Sequence, residues 1–232
     1  MSFLKVSHFF TAIAMKALHN EHGDMRFSPE YRHGAGIKDE TFRWRNNGTG
    51  KAEIPYYIHP SIEHLTPLIN KAIDQYHKLT CLRFVPWKDH RDYVYMFKDN
   101  GCYSYVGRVG RAQKLSLGDG CGYVGTIVHE LGHALGLHHE HQRSDRDTYL
   151  NVYQNNIKSG QEHNFNKTPP SEELIFTKYD YASIMHYGCY AFSKGYRLKT
   201  MEAKNGTPLE EPYNKPGLTN SDITMVNKLY KC

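Results

Sequence analysis

His129-Glu130-Leu131-Gly132-His133-Ala134-Leu135-Gly136-Leu137-His138-His139 is the stretch that decides how this chain reads. Histidines four apart lie one above the other on a helix face. His129 and His133 can therefore aim imidazole nitrogens at a single ion, roughly 2.0–2.1 Å from each if the ion is zinc. Glu130 sits beside the first of them, where its carboxylate can reach a water on the metal. Gly136 follows three residues after His133. Glycine tolerates the left-handed conformation that ends a helix and turns the chain. That turn lets His139 come back to the same ion from outside the helix. Three neutral imidazoles and a water make the open tetrahedral arrangement of a catalytic zinc site rather than a structural one.

A bare H-E-x-x-H arises by chance in many helices, where it means two unrelated surface histidines. The eleven-residue form, H-E-x-x-H-x-x-G-x-x-H, is far more selective and marks metzincin peptidases when a methionine turn follows. Ser183-Ile184-Met185-His186-Tyr187-Gly188 is the candidate turn. Met185 is expected beneath the zinc as apolar support and not as a ligand, and His186 reads as structural. His138 and His141 flank the third ligand position, and only the spacing from Gly136 favours His139 over His138.

Bulk composition narrows the class. A chain of 232 residues suits one sizeable domain or two packed subdomains. Its 39% hydrophobic and 23% charged residues are ordinary for a globular protein. The net charge of +5 is modest and its basic residues are scattered, which argues against a nucleic-acid partner. No run is long and apolar enough to predict a membrane span.

The motifs extend well beyond the zinc helix. They include Gly101-Cys102-Tyr103-Ser104-Tyr105-Val106-Gly107 and Gly120-Cys121-Gly122-Tyr123-Val124-Gly125-Thr126-Ile127 before it. After it come His139-Glu140-His141-Gln142-Arg143-Ser144-Asp145-Arg146-Asp147, Tyr179-Asp180-Tyr181-Ala182, and the run from Leu218 to Cys232. On these residues the chain resembles the astacin family of zinc metalloendopeptidases over about residues 35–232.

The resemblance implies an α+β fold. A twisted N-terminal sheet with two helices (35–136) would face an irregular C-terminal subdomain ending in a helix (137–232), with the cleft between them. It implies a secreted, monomeric enzyme with one Zn2+ per chain, acting on protein or peptide substrates. Glu130 would be the general base. Tyr187 matches the tyrosine that is a fifth zinc ligand at rest, then swings away and stabilises the oxyanion. Five cysteines read as two disulfides plus one left over, with several connectivities open from sequence alone. The family selects Cys102–Cys121 and Cys81–Cys232, leaving Cys189 as a buried free thiol or, more sharply, a regulatory or intermolecular one.

Ahead of the peptidase domain, residues 1–17 read as a signal peptide or its remnant, with a helical prosegment piece or a truncated chain as alternatives. Residues 18–34 read as a short prosegment. Family prosegments carry an aspartate that takes the water's place on zinc, usually within Phe-x-Gly-Asp. Glu21-His22-Gly23-Asp24 has the Gly-Asp pair without the phenylalanine. Asp24 is the candidate switch, and an ordinary Gly-Asp turn is the plain alternative. The mature N-terminus would fall near Ala35 and be buried against Glu140. Cleavage at or near Arg32 would suit a trypsin-like activating protease.

Substrate contacts are also implied by family position. Gly101 to Gly110 would line the cleft, so that substrate backbone adds as a strand along Tyr103 and Ser104. Tyr103 stands where the family often has tryptophan. Lys215 falls where a basic side chain reads an acidic residue just after the cut bond. The usual residue is arginine, so lysine keeps the charge and loses the two-pronged grip; a solvated surface lysine is the competing reading. Asn47, Asn166 and Asn205 open glycosylation triplets. Two rival functions fit a zinc site of this kind. One is a catalytically silent zinc-binding adhesion or ligand module, which has no chemical need of Glu130 and Tyr187; the other is a zinc hydrolase of non-peptide amides or esters.

Periodicity places the elements. Ala52 to Ile58, Leu82 to Val85, Tyr93 to Phe97 and Gln113 to Leu117 read as strands. Thr66 reads as an N-cap with Pro67 at the first helical position, and Leu65, Ile69, Ala72, Ile73 and Tyr76 follow helical spacing. The zinc helix is expected over 125–135. A final helix opens at Leu218 to Asp222 and runs to about Tyr230, with Ile223, Val226, Leu229 and Tyr230 inward.

Overall fold

The structure, a computed structural model, describes residues 23–28, 39–45 and 50–232. The expected signal segment 1–17, Arg32, Ala35 and Asn47 lie outside these. The main sheet has six strands: β1 (Met25–Arg26), β2 (Glu53–Ile58), β3 (Arg83–Pro86), β4 (Tyr93–Phe97), β5 (Cys102–Tyr105) and β6 (Ala112–Leu117). Their order is β1-β5-β6-β4-β2-β3. β2 pairs in parallel with β3 and β4, and β4 with β6, whereas β5 runs antiparallel to β6. Side chains alternate across a strand, so Ile54, Phe84, Val94, Met96 and Leu115 are buried on one face of the sheet.

Helices α1 (Thr66–Leu79) and α2 (Val124–Ala134) cover that buried face. The inner side of α1 is Ile69, Ala72, Ile73 and Tyr76, as its spacing predicts. The expected cap is corrected. A 3-10 turn over Pro60–Leu65 runs straight into α1, Thr66 is already helical, and no side chain caps the start. The backbone N–H of Thr66 donates to Glu63 O, so the preceding turn satisfies a donor that a capping hydroxyl would otherwise serve.

α2 is buried from Gly125 through Ala134, the signature of a helix held inside the domain. The Tyr76 hydroxyl donates to Val128 O at 2.8 Å and ties α1 to it. Its C-terminal carbonyls, which have no partner within the helix, are taken by distant groups. The Trp44 indole donates to Ala134 O at 2.8 Å, and the Tyr230 hydroxyl to Leu135 O at 2.9 Å.

From Gly136 onward regular structure is sparse. Short 3-10 turns and one two-stranded ribbon, β7 (Leu150–Val152) with β8 (Met201–Ala203), surround a second core of Leu150, Phe165, Tyr179, Tyr187 and Met201. Helix α3 (Asn220–Tyr230) opens on a capping box between Thr219 and Asp222. Val226 and Leu229 are its fully buried apolar residues, while Ile223 and Tyr230 are half-buried. The chain is thus α+β. Cys81 is bonded to Cys232, and Cys102 to Cys121. The first closes a separation of 151 residues and contributes about 2–5 kcal/mol.

Asp222 does more than cap. Its carboxylate also accepts from Ser183 Oγ at 2.6 Å and Ile184 N at 2.9 Å. Asp222→Ala should therefore destabilise more than Thr219→Ala, because it strands buried donors worth about 1–3 kcal/mol each, against roughly 1 kcal/mol for a lost cap. Thermal unfolding of the two variants checks the order.

Candidate metal centre and active site

Four side chains converge at the bottom of the domain. His129 and His133 come from α2. His139 arrives from the segment after Gly136, whose φ of 97° makes the turn that only glycine takes easily. Asp24 enters from the segment that precedes β1. One donor atom from each lies within 4.8 Å of all the others, and all four residues are buried. Asp24 Oδ2 is 3.0 Å from His129 Nε2, and its Oδ1 is 2.8 Å from His139 Nε2 and 3.4 Å from His133 Nε2. His138 and His141 are elsewhere. His138 packs on the Phe27 ring, and His141 Nε2 meets Asn164 O at 3.0 Å.

The other ring nitrogens fix what the Nε2 atoms can do. His129 Nδ1 is 2.8 Å from Ile184 O, and His133 Nδ1 is 2.8 Å from Leu137 O. His139 Nδ1 lies 3.3 Å from Gln142 Oε1. A carbonyl oxygen only accepts, so each Nδ1 carries the proton and each Nε2 presents a lone pair. Burial also disfavours imidazolium, taking His133 down to about 4 and His139 below its ordinary value. Three lone pairs and a carboxylate thus point at one another, with His129 Nε2 and His133 Nε2 only 3.0 Å apart. Acceptors crowded this way need a cation between them, and neutral imidazole with carboxylate is a donor set zinc takes.

Burial opposes charge on Asp24, and it is positive charge beside it, on the His139 and His129 rings or on a cation between them, that holds the carboxyl well below its usual range. Gly23 makes the approach possible. Its φ is +68°, and a Cβ there would come 2.9 Å from the Tyr187 hydroxyl. That hydroxyl donates to Asp24 Oδ1 at 2.7 Å, and the Tyr187 ring lies 4.2 Å from that of His139. Glu130 is fully buried, and neither carboxylate oxygen has a hydrogen-bond partner. Burial, then repulsion from Asp24, raises its pKa well above the usual carboxylate value.

The methionine turn backs the helix. A Cβ on Gly132 would lie 2.7 Å from Met185 Sδ, so glycine at this point of α2 admits the thioether. His186 is buried and held between the Tyr179 hydroxyl at 2.8 Å and Tyr187 O at 2.7 Å. Lys215 requires a correction. It is 8% exposed, and its ammonium donates to Ser183 O at 2.7 Å and His186 O at 2.6 Å. Burial pushes its pKa down to about 8. Lys215 is thus not a solvated surface lysine: two carbonyls of the methionine turn take its ammonium.

Glu140 accepts from Arg143 Nη1 at 2.8 Å and from Asp180 N at 3.0 Å, while burial raises it to about 7. It lines a cavity with Leu137, Ile175, Ser183 and Met185. Tyr103 and Ser104 lie on β5, and β1 pairs with that strand in parallel, Met25 opposite Ser104. Ser104 N donates to Asp24 O, and Val106 N to Arg26 O, both at 2.9 Å. The edge expected to take substrate backbone is thus occupied by residues 24–26. Cys189 is half-buried and unpaired, with its thiol raised by burial. Asn166 and Asn205 are exposed. Sequence reading missed Gly132, Arg26 and the double duty of Asp222. The Gly132 position inside the motif was a usable signal, whereas Arg26 and Asp222 carry none that is local.

The family profile for Astacin (Peptidase family M12A) matches residues 37–231. Astacin-like metalloprotease toxin 1 of Loxosceles intermedia is 42% identical over 216 residues, covering 90% of this chain and 80% of the toxin. Zinc metalloproteinase nas-4 of Caenorhabditis elegans is 41% identical over 201 residues, 84% of this chain and 61% of that protein. This chain thus spans less than two thirds of the nematode relative. Among solved structures, high choriolytic enzyme 1, a hatching-enzyme zinc protease of Oryzias latipes, superposes with a TM-score of 0.79 at 36% identity. That match covers 85% of this chain and 99% of the fish enzyme. With its three inward histidines, buried glutamate and methionine turn, this chain belongs to the astacin family of zinc metalloendopeptidases.

Proposed function

We propose that this chain is the latent form of a secreted, monomeric endopeptidase that cleaves protein substrates once residues 18–34 are removed. The observation that carries the reading is the Asp24 carboxylate lying among the three ligand nitrogens. It stands where the attacking water must come, so the site is complete and blocked at once. The two disulfides support an oxidising, extracellular setting. A cut near Arg32 by a trypsin-like protease would free the segment, and the new amino terminus near Ala35 would seek Glu140.

His129, His133 and His139 would hold the zinc, which when bound lowers the pKa of a water to about 7 and polarises the scissile carbonyl. Glu130 takes the proton of the attacking water as its oxygen bonds to the carbonyl carbon. Its oxygens are not committed to other donors, which suits a base that must accept and release a proton. Glu130 then gives the proton to the leaving nitrogen as the C–N bond breaks. Tyr187, freed from Asp24, turns its hydroxyl to the carbonyl oxygen as negative charge develops there.

Glu130→Gln should keep one zinc per chain and lose about 10²–10⁴-fold in kcat/KM, the usual share of a general base. Metal analysis beside peptide hydrolysis measures both, and undiminished turnover would remove Glu130 from the role. Asp24→Ala should raise the activity of the uncleaved chain toward that of trypsin-treated wild type. An unchanged rate would show that residues 18–34 do not act through this carboxylate. A chelator should abolish cleavage in every active form, and added zinc should restore it.

A further inference from the structure

Arg26 marks a site that the catalytic reading leaves unused. Its guanidinium carbon lies 4.2 Å from the centroid of the Tyr103 ring. The Tyr103 hydroxyl donates to Asp99 Oδ2 at 2.7 Å, which fixes the ring and brings a carboxylate to its far end. The Phe97 ring meets Tyr103 in a T-shaped contact at 6.5 Å. A cation over a tyrosine face is attracted by the ring quadrupole. Arg26 Nη1 is buried without a hydrogen-bond partner, so the ring face carries more of its recognition than any directed hydrogen bond. Arg26 sits two residues past Asp24, on the segment that pairs with β5 along the edge opposite β6.

We infer that Tyr103 and Asp99 form a substrate subsite that selects a lysine or arginine side chain within three residues of the cut bond, and that Arg26 fills it in the uncleaved chain. The inference rests on the peptidase reading above. A substrate added along β5 alternates its side chains as β1 does, whichever way it runs. Met25 turns inward onto Val106, and Arg26 turns outward onto Tyr103. A substrate residue at the outward position therefore meets the same ring. The nearby charges are Asp24 (on the departing segment), Glu130 and Asp99, with Lys114 placed over the neighbouring Phe97 ring at 5.6 Å. Lys114 opposes a second cation and Asp99 favours one, but Asp99 is bonded to the Tyr103 ring itself. Recognition by a ring face tolerates both ammonium and guanidinium, so lysine and arginine should both serve.

The test uses the full chain, loaded with zinc, treated with trypsin until mass spectrometry shows residues 24–26 released, and then quenched with a serine-protease inhibitor. A peptide library digested with this enzyme should show lysine and arginine enriched about fivefold at one position within three residues of the cuts. Tyr103→Leu should flatten that enrichment, and Tyr103→Phe, which keeps the ring, should retain most of it. In parallel, the Glu130→Gln protein treated the same way is titrated with a labelled peptide carrying arginine at that position and with its norleucine counterpart. About fivefold tighter binding of the arginine peptide, lost in Tyr103→Leu, supports the subsite even if the wild type cleaves nothing, in which case only the peptidase reading fails. Equal binding of the two peptides, no enrichment among the cuts, or an enrichment that survives Tyr103→Leu would each overturn it.

Discussion

Everything in this domain answers to one electrostatic problem: three imidazole lone pairs must be held facing one another with no proton between them. Neutral imidazoles left to themselves would rotate or protonate. The chain prevents both by giving Nδ1 of each ring an acceptor. Two of those acceptors are backbone carbonyls, Ile184 O and Leu137 O. Ligand orientation is therefore set by where the methionine turn and the segment after Gly136 lie, not by α2 alone. Burial further disfavours the imidazolium form of His133 and His139. A cation is the remaining way to satisfy the set, which is why the same geometry that destabilises the empty site creates affinity for a metal.

The methionine turn becomes the part that has to be right, and the structure fastens it from several sides. Asp222 takes Ser183 Oγ and Ile184 N. Lys215 donates to Ser183 O and His186 O. Glu140 N donates to Met185 O at 3.0 Å. Gly132 lets Met185 press directly on α2. A buried ammonium is costly unless it is hydrogen-bonded and near opposite charge. Lys215 has the two carbonyls, with Glu211 and Asp222 favouring its charge. Lys215 thus braces the turn that positions His129.

What the sequence made legible follows from the range of each signal. The zinc helix, α1 and α3 declare themselves by periodicity, and the inward face of α1 is the one its spacing predicts. The ligand histidines and the glycine between them are encoded within eleven residues, so local reading finds them. Thr66 misled because the adjacent 3-10 turn over Pro60–Leu65 already takes its N–H at Glu63 O, so the helix starts without a hydroxyl cap. The setting of Lys215 was illegible for a different reason. Its carbonyl partners are 29 and 32 residues away in sequence, and no composition or spacing rule reports a contact of that kind. The disulfides were open by counting and closed only by likeness to a family, which itself encodes long-range geometry.

The two parts of the Gly-Asp pair have different necessities, and this explains why the absent phenylalanine does not prevent the contact. Gly23 is required by backbone conformation and by the Tyr187 hydroxyl standing where a Cβ would go. Asp24 is required because only a short carboxylate can bridge three Nε2 atoms from that backbone position. Neither requirement refers to the residue three before Asp24. Besides Asp24, the described part of the segment is held by backbone hydrogen bonds to residues 104–106, Met25 against Val106, Arg26 over Tyr103 and Phe27 against the His138 ring. Backbone ordering costs about 1–2 kcal/mol per residue, so on the proposed latency a cut that restores the segment's freedom would weaken these contacts. On that reading the block is a carboxylate among the three ligand nitrogens, carried on a short strand that a single cut would set free to leave.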